Sequence, residues 1–195
     1  MSVAAQLDAL DGRPTDSRSL GAWGVALAIA TEATLFAVLI ASYFYLRVNA
    51  RTWPPAGSRP PELTLALPGT AVLIASSVVL VWSDRQAARE RWSRSRVGIA
   101  VTLALGAAFL VVQGFEIASR PEGVRDSAQS TALYTITGLH AAHVVVGMAL
   151  LLFLLLRMGP APARRAPGPV ASRYWHFVDV IWVVVVISLY LSERW

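Results

Sequence analysis

The stretch YWHFVDVIWVVVVISLYL, at residues 174–191, is apolar enough to cross a membrane and yet contains His176 and Asp179. Ionisable side chains inside a bilayer cost about 2.5–3.5 kcal/mol each on insertion scales. Either this stretch does not lie in a membrane, or the two polar side chains have partners there. The remainder of the sequence decides between these two interpretations.

The composition is that of an integral membrane protein. Of the 195 residues, 55% are hydrophobic and 15% are charged, whereas a soluble domain is about 45–50% apolar and about 25% charged. The chain contains no cysteine, which excludes disulfides and thiolate metal sites. Its net charge of +5 comes from arginines spread between the apolar runs, so a nucleic-acid partner is not expected.

Five apolar runs are long enough to cross a bilayer, which takes about 20 residues. The sequence therefore predicts an all-α fold, an integral membrane bundle of five transmembrane helices, at about 22–46, 69–87, 97–118, 131–157 and 172–193. Residues 1–21 are predicted to form a cytoplasmic N-terminal tail, and residues 22–195 a single transmembrane domain. The segments between the runs are rich in Pro, Gly or Arg, which favours loops. One of them, GPAPARRAPGP at 159–169, is predicted to be a hinge.

The distribution of arginine predicts the orientation of the chain in the membrane. Eleven of the 17 arginines lie in the N-terminal tail, the second loop and the fourth loop, which fall on one side. The other six lie in the first loop, the third loop and the C-terminal tail. Because basic residues are retained on the cytoplasmic side, the N-terminus is expected inside and the C-terminus outside.

We place six ionisable side chains of the predicted spans at membrane depth: Glu32, Glu116, His140, His143, His176 and Asp179. At a rise of about 1.5 Å per residue, Glu116 and His140 are both roughly 25–28 Å from the inner end of their spans, which makes them candidates for an interhelical pair. Glu32 is within one helical turn of both His143 and Asp179 in depth. His143 is the preferred partner, because two carboxylates repel each other. His176 and Asp179 are expected to pair with each other or with a neighbouring helix.

Two interpretations of these six side chains remain open. They can all be interhelical polar contacts that satisfy one another where lipid cannot. Alternatively, Glu32 is a proton-holding group, since a carboxyl group without water around it tends to keep its proton. A bis-histidine haem is not expected, because histidines on different helices differ in depth by roughly 15–19 Å. No spacing typical of metal ligands occurs, so no metal site is expected either.

Small and aromatic residues predict where the helices meet each other and the membrane surface. The fourth span contains TGLHAAHVVVG at 137–147, and the second contains IASS at 74–77. Gly, Ala and Ser allow membrane helices to approach closely. Tyr174, Trp175 and Phe177 are expected in an aromatic belt at the inner membrane surface.

Five motifs in chain order resemble those of subunit III of haem–copper terminal oxidases, the cytochrome c oxidase subunit III family. They are AWGVALAIATEATLFAVLIASYFYLR (22–47), PGTAVLIASS (68–77), QGFE (113–116), TGLHAAHVVVGMALL (137–151) and YWHFVDVIWVVVVISLYL (174–191). The resemblance covers about residues 21–193 and is to the short bacterial form with five helices.

The resemblance implies a non-catalytic subunit of an aerobic respiratory oxidase in the bacterial plasma membrane. Members of the family hold no haem or copper themselves. They pack beside the catalytic subunit I, in a complex that also contains subunit II, stabilise subunit I during turnover and support proton uptake. They also hold phospholipid in a cleft between the first helix pair and the remaining helices, so bound phospholipid is expected. The chain is thus expected to belong to a proton-translocating oxidoreductase without carrying its redox centres.

The resemblance also assigns roles to individual residues. Glu32 matches the membrane-embedded glutamate of the family, and Glu116 matches the acid of its QxxE motif. The two C-terminal motifs contribute His140, His143, His176 and Asp179. Arg47 and Trp23 are lipid-binding candidates. No catalytic residue and no metal ligand is implied.

Three other functions remain as alternatives. A subunit III-like accessory protein of a nitric oxide reductase would share the family and the short length. A small proton-coupled transporter would use Glu32 and Glu116, although the sequence has no internal repeat to support it. A membrane cytochrome would need haem ligands at one depth, which the histidine positions do not provide.

Overall fold

The computed structural model describes residues 17–55, 58, 61–158 and 168–194. Every regular element within these residues is a helix. The helices that are long and apolar enough to cross a membrane number five: Trp23–Asn49, Leu63–Ala88, Trp92–Ser119, Ala128–Arg157 and Val170–Leu191. The predicted all-α bundle of five membrane-spanning helices is therefore confirmed. Most of the predicted N-terminal tail and most of the predicted hinge lie outside the described residues.

Every helix begins earlier than its predicted apolar run, because residues that continue a helix past the hydrocarbon need not be apolar. The helices are α1 (Ser17–Asn49), α2 (Leu63–Ala88), α3 (Trp92–Ser119), α4 (Ala128–Arg157) and α5 (Gly168–Val185). α5 continues into a π-helical segment, Val186–Leu191, and a 3-10 turn, Ser192–Arg194. The first helix thus begins inside the segment that the sequence assigned to the tail.

The start of α2 differs from the prediction because the helix contains a proline. It begins at Leu63 and includes Pro68, whereas the sequence placed the start at residue 69. Proline has no N–H and is disfavoured inside helices. Pro68 is the sixth residue of the helix, so its missing N–H removes the one backbone hydrogen bond that would run to the carbonyl of Thr64.

The connection between α2 and α3 is a turn at residues 89–91, much shorter than the basic loop that the sequence suggested. The Glu90 N–H donates to Ala87 O at 3.0 Å, and the Arg91 N–H donates to Gln86 O at 2.9 Å. These two bonds form the Schellman motif that closes many helices. Glu90 has a φ of 57°, in the left-handed region where glycine is usual. The turn folds α3 back along α2, and this helix pair has the most extensive contacts in the bundle.

A glycine sets the distance between α2 and α3. A Cβ atom on Gly98 would lie 2.6 Å from Ser83 Cβ and 3.2 Å from Ser83 Cα. The Ser83 hydroxyl also donates to Ser95 O at 2.8 Å. The α2 and α3 backbones can therefore approach this closely only because residue 98 has no side chain.

The stretch at residues 174–191 forms the most buried part of the bundle. In the most apolar 18 residues of the last span, 50% of the residues are buried, whereas 6% are buried in the corresponding stretch of the first span. Trp175 and Trp182 are both 0% exposed. Trp175 packs against Gly106 of α3 and Gly147 of α4. Trp182 meets the Phe109 ring of α3 edge-to-face and the His140 ring of α4 at a tilt. α5 therefore lies at the centre of the bundle.

The aromatic belt predicted at the start of α5 is wrong for two of its three residues. Tyr174 and Trp175 are buried, and only Phe177 is partly exposed. The Trp175 indole N–H donates to Ser76 Oγ at 3.0 Å. Because a buried indole needs a hydrogen-bond partner, a serine of α2 takes the place of interfacial water.

α1 lies at the edge of the bundle. It packs on α4 and α5, whereas α2 packs on α3 and α5. Phe36 and Tyr43 are the buried hydrophobic residues that α1 contributes within its described part. The first two spans therefore have no extensive contact with each other in the part of the chain that the structure describes.

Candidate functional site: polar contacts between the membrane-spanning helices

The mid-membrane polar contact joins α1 to α4. Glu32 Oε2 lies 2.9 Å from His143 Nε2, as the depth of the two residues predicted. The Glu32 side chain is 35% exposed and the His143 side chain is 11% exposed. Phe36 covers one side of the imidazole with a ring-centroid distance of 5.1 Å. His143 is thus largely shielded by the bundle, whereas Glu32 is partly exposed on the surface of α1.

The hydrogen bonds of His143 indicate where its protons lie. His143 Nδ1 is 2.7 Å from Leu139 O, and a carbonyl oxygen can only accept, so Nδ1 carries a hydrogen. Nε2 then either accepts a proton from a neutral Glu32 carboxyl or donates one to a Glu32 carboxylate. In both cases the pair is neutral as a whole and holds one proton between Nε2 and Oε2. This neutrality makes the pair tolerable inside a bilayer.

His140 does not pair with Glu116. Both ring nitrogens of His140 lack a hydrogen-bond partner within the described part of the chain, and the residue is 0% exposed. Its ring lies among three aromatic rings, with centroid distances of 4.8 Å to Trp182, 5.8 Å to Phe109 and 6.5 Å to Phe36. The predicted Glu116–His140 contact is wrong, because equal depth does not determine the direction in which each helix presents its side chain.

Glu116 instead contacts the π-helical segment that follows α5. The Tyr190 hydroxyl donates to Glu116 Oε1 at 2.8 Å, and Arg120 Nη2 lies 4.0 Å from the same oxygen. Glu116 is 4% exposed and Tyr190 is 1% exposed. A buried tyrosine hydroxyl usually finds a partner, so Tyr190 in the run SLYL was the signal in the sequence for this contact.

His176 and Asp179 meet the same serine of α2. His176 Nδ1 lies 2.8 Å from Ser77 Oγ, and the Ser77 hydroxyl donates to Asp179 Oδ2. Because that hydroxyl has one hydrogen, it accepts from His176 while it donates to Asp179. Nδ1 of His176 is therefore the protonated nitrogen of this contact. The expectation that the two residues pair with a neighbouring helix describes this geometry.

Ser77 was missed as a hydrogen-bonding residue. The sequence analysis assigned the run IASS only to close helix packing, and packing is also what Ser76 and Ser77 permit. A serine hydroxyl inside a membrane must nevertheless donate to some acceptor. A serine at the same depth as an acidic residue on another span is the sequence feature that would have predicted this hydrogen bond.

The lipid-binding candidates have different environments. The Arg47 guanidinium donates from Nη1 to Ser192 Oγ and from Nη2 to Ser192 O, both at 2.7 Å. It thereby joins the end of α1 to the end of the chain. Trp23 is 75% exposed, near the opposite end of the same helix. Arg47 thus already has a protein partner, whereas the Trp23 side chain is open to lipid.

No group of three or more His, Cys, Asp or Glu side chains that could hold a metal ion occurs within the described ranges. Five of the six predicted polar side chains are distributed over three separate contacts instead, and His140 is in none of them. These contacts lie between α1 and α4, between α3 and the π-helical segment, and between α2 and α5. The chemistry that they can supply is hydrogen bonding and the holding of protons.

Comparison with known proteins identifies one family. Residues 8–194 match the family model described as cytochrome c oxidase subunit III. Cytochrome c oxidase subunit 3 of Thermostichus vulcanus is 33% identical over 177 residues, which cover 88% of this chain and 87% of the relative. A probable cytochrome c oxidase subunit 3 of Nocardia farcinica is 35% identical over 176 residues, covering 86% and 85%. The subunit 3 of Synechocystis sp. is 33% identical over 187 residues, covering 87% and 74%.

Proposed function

The chain belongs to the cytochrome c oxidase subunit III family, and on this premise we propose that it is the non-catalytic subunit III of an aerobic respiratory terminal oxidase. In this role it packs beside the catalytic subunit I, in a complex with subunit II, in a bacterial plasma membrane. Haem and copper are held by those partners. The match over nearly the whole chain is the observation that carries the proposal.

The Glu32–His143 contact supports a role in proton handling. The pair holds one proton between two helices at mid-membrane, and the Glu32 side chain is 35% exposed. The Glu32 carboxyl group can pass its proton to His143 without leaving an uncompensated charge, because the resulting carboxylate and imidazolium form an ion pair. We propose that this pair stabilises subunit I during turnover and supports its proton uptake.

Bound phospholipid is the second part of the proposal. α1 packs on the bundle through few residues, and Trp23 and Leu27 are 75% and 69% exposed. Phospholipid bound on this side of α1 would cover its exposed apolar side chains.

The assembly is tested by isolating the tagged chain in mild detergent and recording a reduced-minus-oxidised absorption spectrum. Haem a bands and copper, together with a large co-purifying polypeptide, are expected. Haem b with non-haem iron would instead indicate a nitric oxide reductase. A colourless preparation after chemical crosslinking would contradict both assignments and favour a transporter that acts without redox partners.

The role of Glu32 is tested in the assembled oxidase. Glu32→Ala is expected to leave initial oxygen consumption close to that of the unmodified enzyme and to shorten the time for which the enzyme stays active. Thr34→Ala is the matched control, because the Thr34 hydroxyl donates only to Ala30 O of its own helix. Equal active lifetimes in both variants would remove the proposed role.

A further inference from the structure

A second feature of the molecule lies at the end of the bundle where α2 turns into α3 and α4 ends. Two adjoining cavities open there, and Trp92 and Met158 line both. One cavity is a crevice between helices, and the other is a groove along the turn. Neither is lined by Arg47 or Trp23, so these cavities are distinct from the lipid-binding candidates discussed above.

The crevice is mostly apolar and has a volume of about 450 Å³. Its apolar lining consists of Ala87, Ala88, Trp92, Leu154 and Met158. On its polar side the Ser172 hydroxyl donates to Asp84 Oδ1 at 3.0 Å, so this carboxylate already has a partner. From Ala88 to Asp84 the wall descends by about 6 Å along the helix axis. The crevice therefore runs from the membrane surface towards the hydrocarbon.

The groove is basic and has a volume of about 440 Å³. Arg91, Arg94 and Arg96 line it, against one carboxylate, Glu90, among the described residues. None of these three arginines forms an ion pair with a carboxylate of the described chain. Arg173 adds a fourth guanidinium group beside the crevice. Within the described residues, the combination places positive charge that has no ion pair beside an apolar cavity.

We propose that an anionic phospholipid binds at this end, with its phosphate on Arg91, Arg94 and Arg96 and its glycerol backbone and first acyl carbons in the crevice. Guanidinium groups bind phosphate through charge-assisted hydrogen bonds. Basic residues near an anionic lipid surface attract the lipid head groups. The apolar crevice accepts the glycerol backbone and first acyl carbons of the lipid, which free phosphate does not have. The inference depends on the chain lying in a membrane and not on its role in an oxidase.

Two other occupants are less suited to this end. The connecting segment at 159–167 carries Arg164 and Arg165 and no acid, so its charge matches that of the groove. The N-terminal segment carries Asp8, Asp11 and Asp16 and is predicted to lie on the same side of the membrane. It is an internal competitor that the experiment must separate from lipid.

The test measures binding of phosphatidylglycerol and of phosphatidylcholine to the purified, delipidated full-length chain in mild detergent. Arg91→Gln/Arg94→Gln/Arg96→Gln is expected to weaken phosphatidylglycerol binding at least about ten-fold. The matched control, Arg51→Gln/Arg125→Gln/Arg194→Gln, removes the same charge from exposed arginines at the opposite end. It is expected to change the affinity less than about two-fold.

A second variant tests the crevice without changing the charge. Ala88→Phe fills the cavity and is expected to weaken phosphatidylglycerol binding by about ten-fold, since it displaces the buried part of the lipid. Unchanged binding in this variant would reduce the site to general attraction of anionic lipids and would overturn the proposal. Equal losses in the two arginine variants would overturn it as well.

The remaining outcomes distinguish phospholipid from free phosphate and from the N-terminal segment as the occupant of this site. Displacement of phosphatidylglycerol by millimolar inorganic phosphate would identify a free-anion site and contradict the lipid assignment. Equal affinity for phosphatidylcholine would contradict the role of the arginines. A large gain in lipid affinity in Asp8→Asn/Asp11→Asn/Asp16→Asn would show that the N-terminal segment is the occupant in the unmodified chain.

Discussion

Polar side chains in the membrane segment are arranged as small contacts between pairs of helices. Ser77 serves both His176 and Asp179, and it does so with a single hydroxyl group. Glu32 and His143 form one hydrogen bond between α1 and α4. Hydrogen bonds of this kind contribute about 0.6 kcal/mol on average in membrane proteins and up to about 1.7 kcal/mol. Their loss also leaves buried groups unsatisfied, which adds to the cost.

Ser77→Ala is predicted to lower the free energy of unfolding in detergent by about 1–2 kcal/mol, because it leaves His176 and Asp179 without their common partner. Ser42→Ala is the control, since the Ser42 hydroxyl donates only to Val38 O of its own helix and its loss should change stability by less than about 0.5 kcal/mol. Unfolding is followed by circular dichroism. Equal effects of the two substitutions would show that the Ser77 contact adds nothing to stability.

A double-mutant cycle of Glu32→Ala and His143→Ala is predicted to give a coupling of about 1 kcal/mol, because each single change already removes the shared hydrogen bond. A second cycle of Glu32→Ala with His140→Ala is the control, and it should be additive, since His140 has no polar partner in the described chain. The measurement is again the free energy of unfolding. Coupling of equal size in both cycles would mean that the Glu32–His143 contact is not specific.

At the level of the helices, close approach rests on glycine and serine. α2 and α3 come together where Gly98 faces Ser83, and α5 inserts Trp175 between Gly106 and Gly147. By contrast, a Cβ atom on Gly138 or Gly114 would meet nothing within 4 Å. The small residues of the TGLHAAHVVVG motif are thus not equivalent, because Gly147 faces the bundle and Gly138 faces outward.

Gly98→Ala is predicted to destabilise the protein by about 1–3 kcal/mol, because the new methyl group overlaps with the Ser83 side chain and backbone. Gly114→Ala is the matched control on the same helix. It should be neutral or stabilise by up to about 1 kcal/mol through the higher helix propensity of alanine. Thermal unfolding of the two variants in one detergent makes the comparison, and a stable Gly98→Ala variant would rule out the tight α2–α3 contact.

On the scale of the whole molecule, the bundle has a centre and an edge. α5 is surrounded by the other helices, whereas α1 is held through its contacts with α4, α5 and the end of the chain. The Glu32–His143 contact and the Arg47–Ser192 contact are polar connections of α1 to the remaining bundle. A helix attached in this way leaves much of its surface for lipid or for partner subunits.

The orientation of the molecule is predicted from arginine and can be measured, because the chain contains no cysteine. Ser93→Cys, beside the α2–α3 turn, should react with a membrane-impermeant maleimide only after the cells are permeabilised. Val124→Cys, in the connection between α3 and α4, should react in intact spheroplasts. Val101→Cys, on the apolar surface of α3, is the control that should stay unlabelled. The reverse pattern of the first two would place the N-terminus outside.

The sequence alone determined the class of fold, the number of spans and the family. These depend on the length of apolar runs and on local motifs such as YWHFVD, which do not require knowledge of how the helices face one another. Depth along the membrane was also accessible, because the rise per residue of a helix is constant. It left His143 and Asp179 as partners for Glu32, and the repulsion between two carboxylates favoured His143. The start of α2 and the length of the α2–α3 turn were misjudged, because Pro68 and Glu90 occupy positions that local propensity disfavours.

Only the tertiary structure decided which side chains at one depth meet. Glu116 faces Tyr190 and not His140, His140 lies among aromatic rings, and Trp175 lies inside the bundle and not at its surface. These outcomes depend on the rotation of each helix about its own axis. That rotation is set by the packing of all five helices together, above all by where glycine lets α2, α3 and α5 approach. A periodic apolar sequence in lipid carries little information about it, since lipid and protein interior are almost equally apolar.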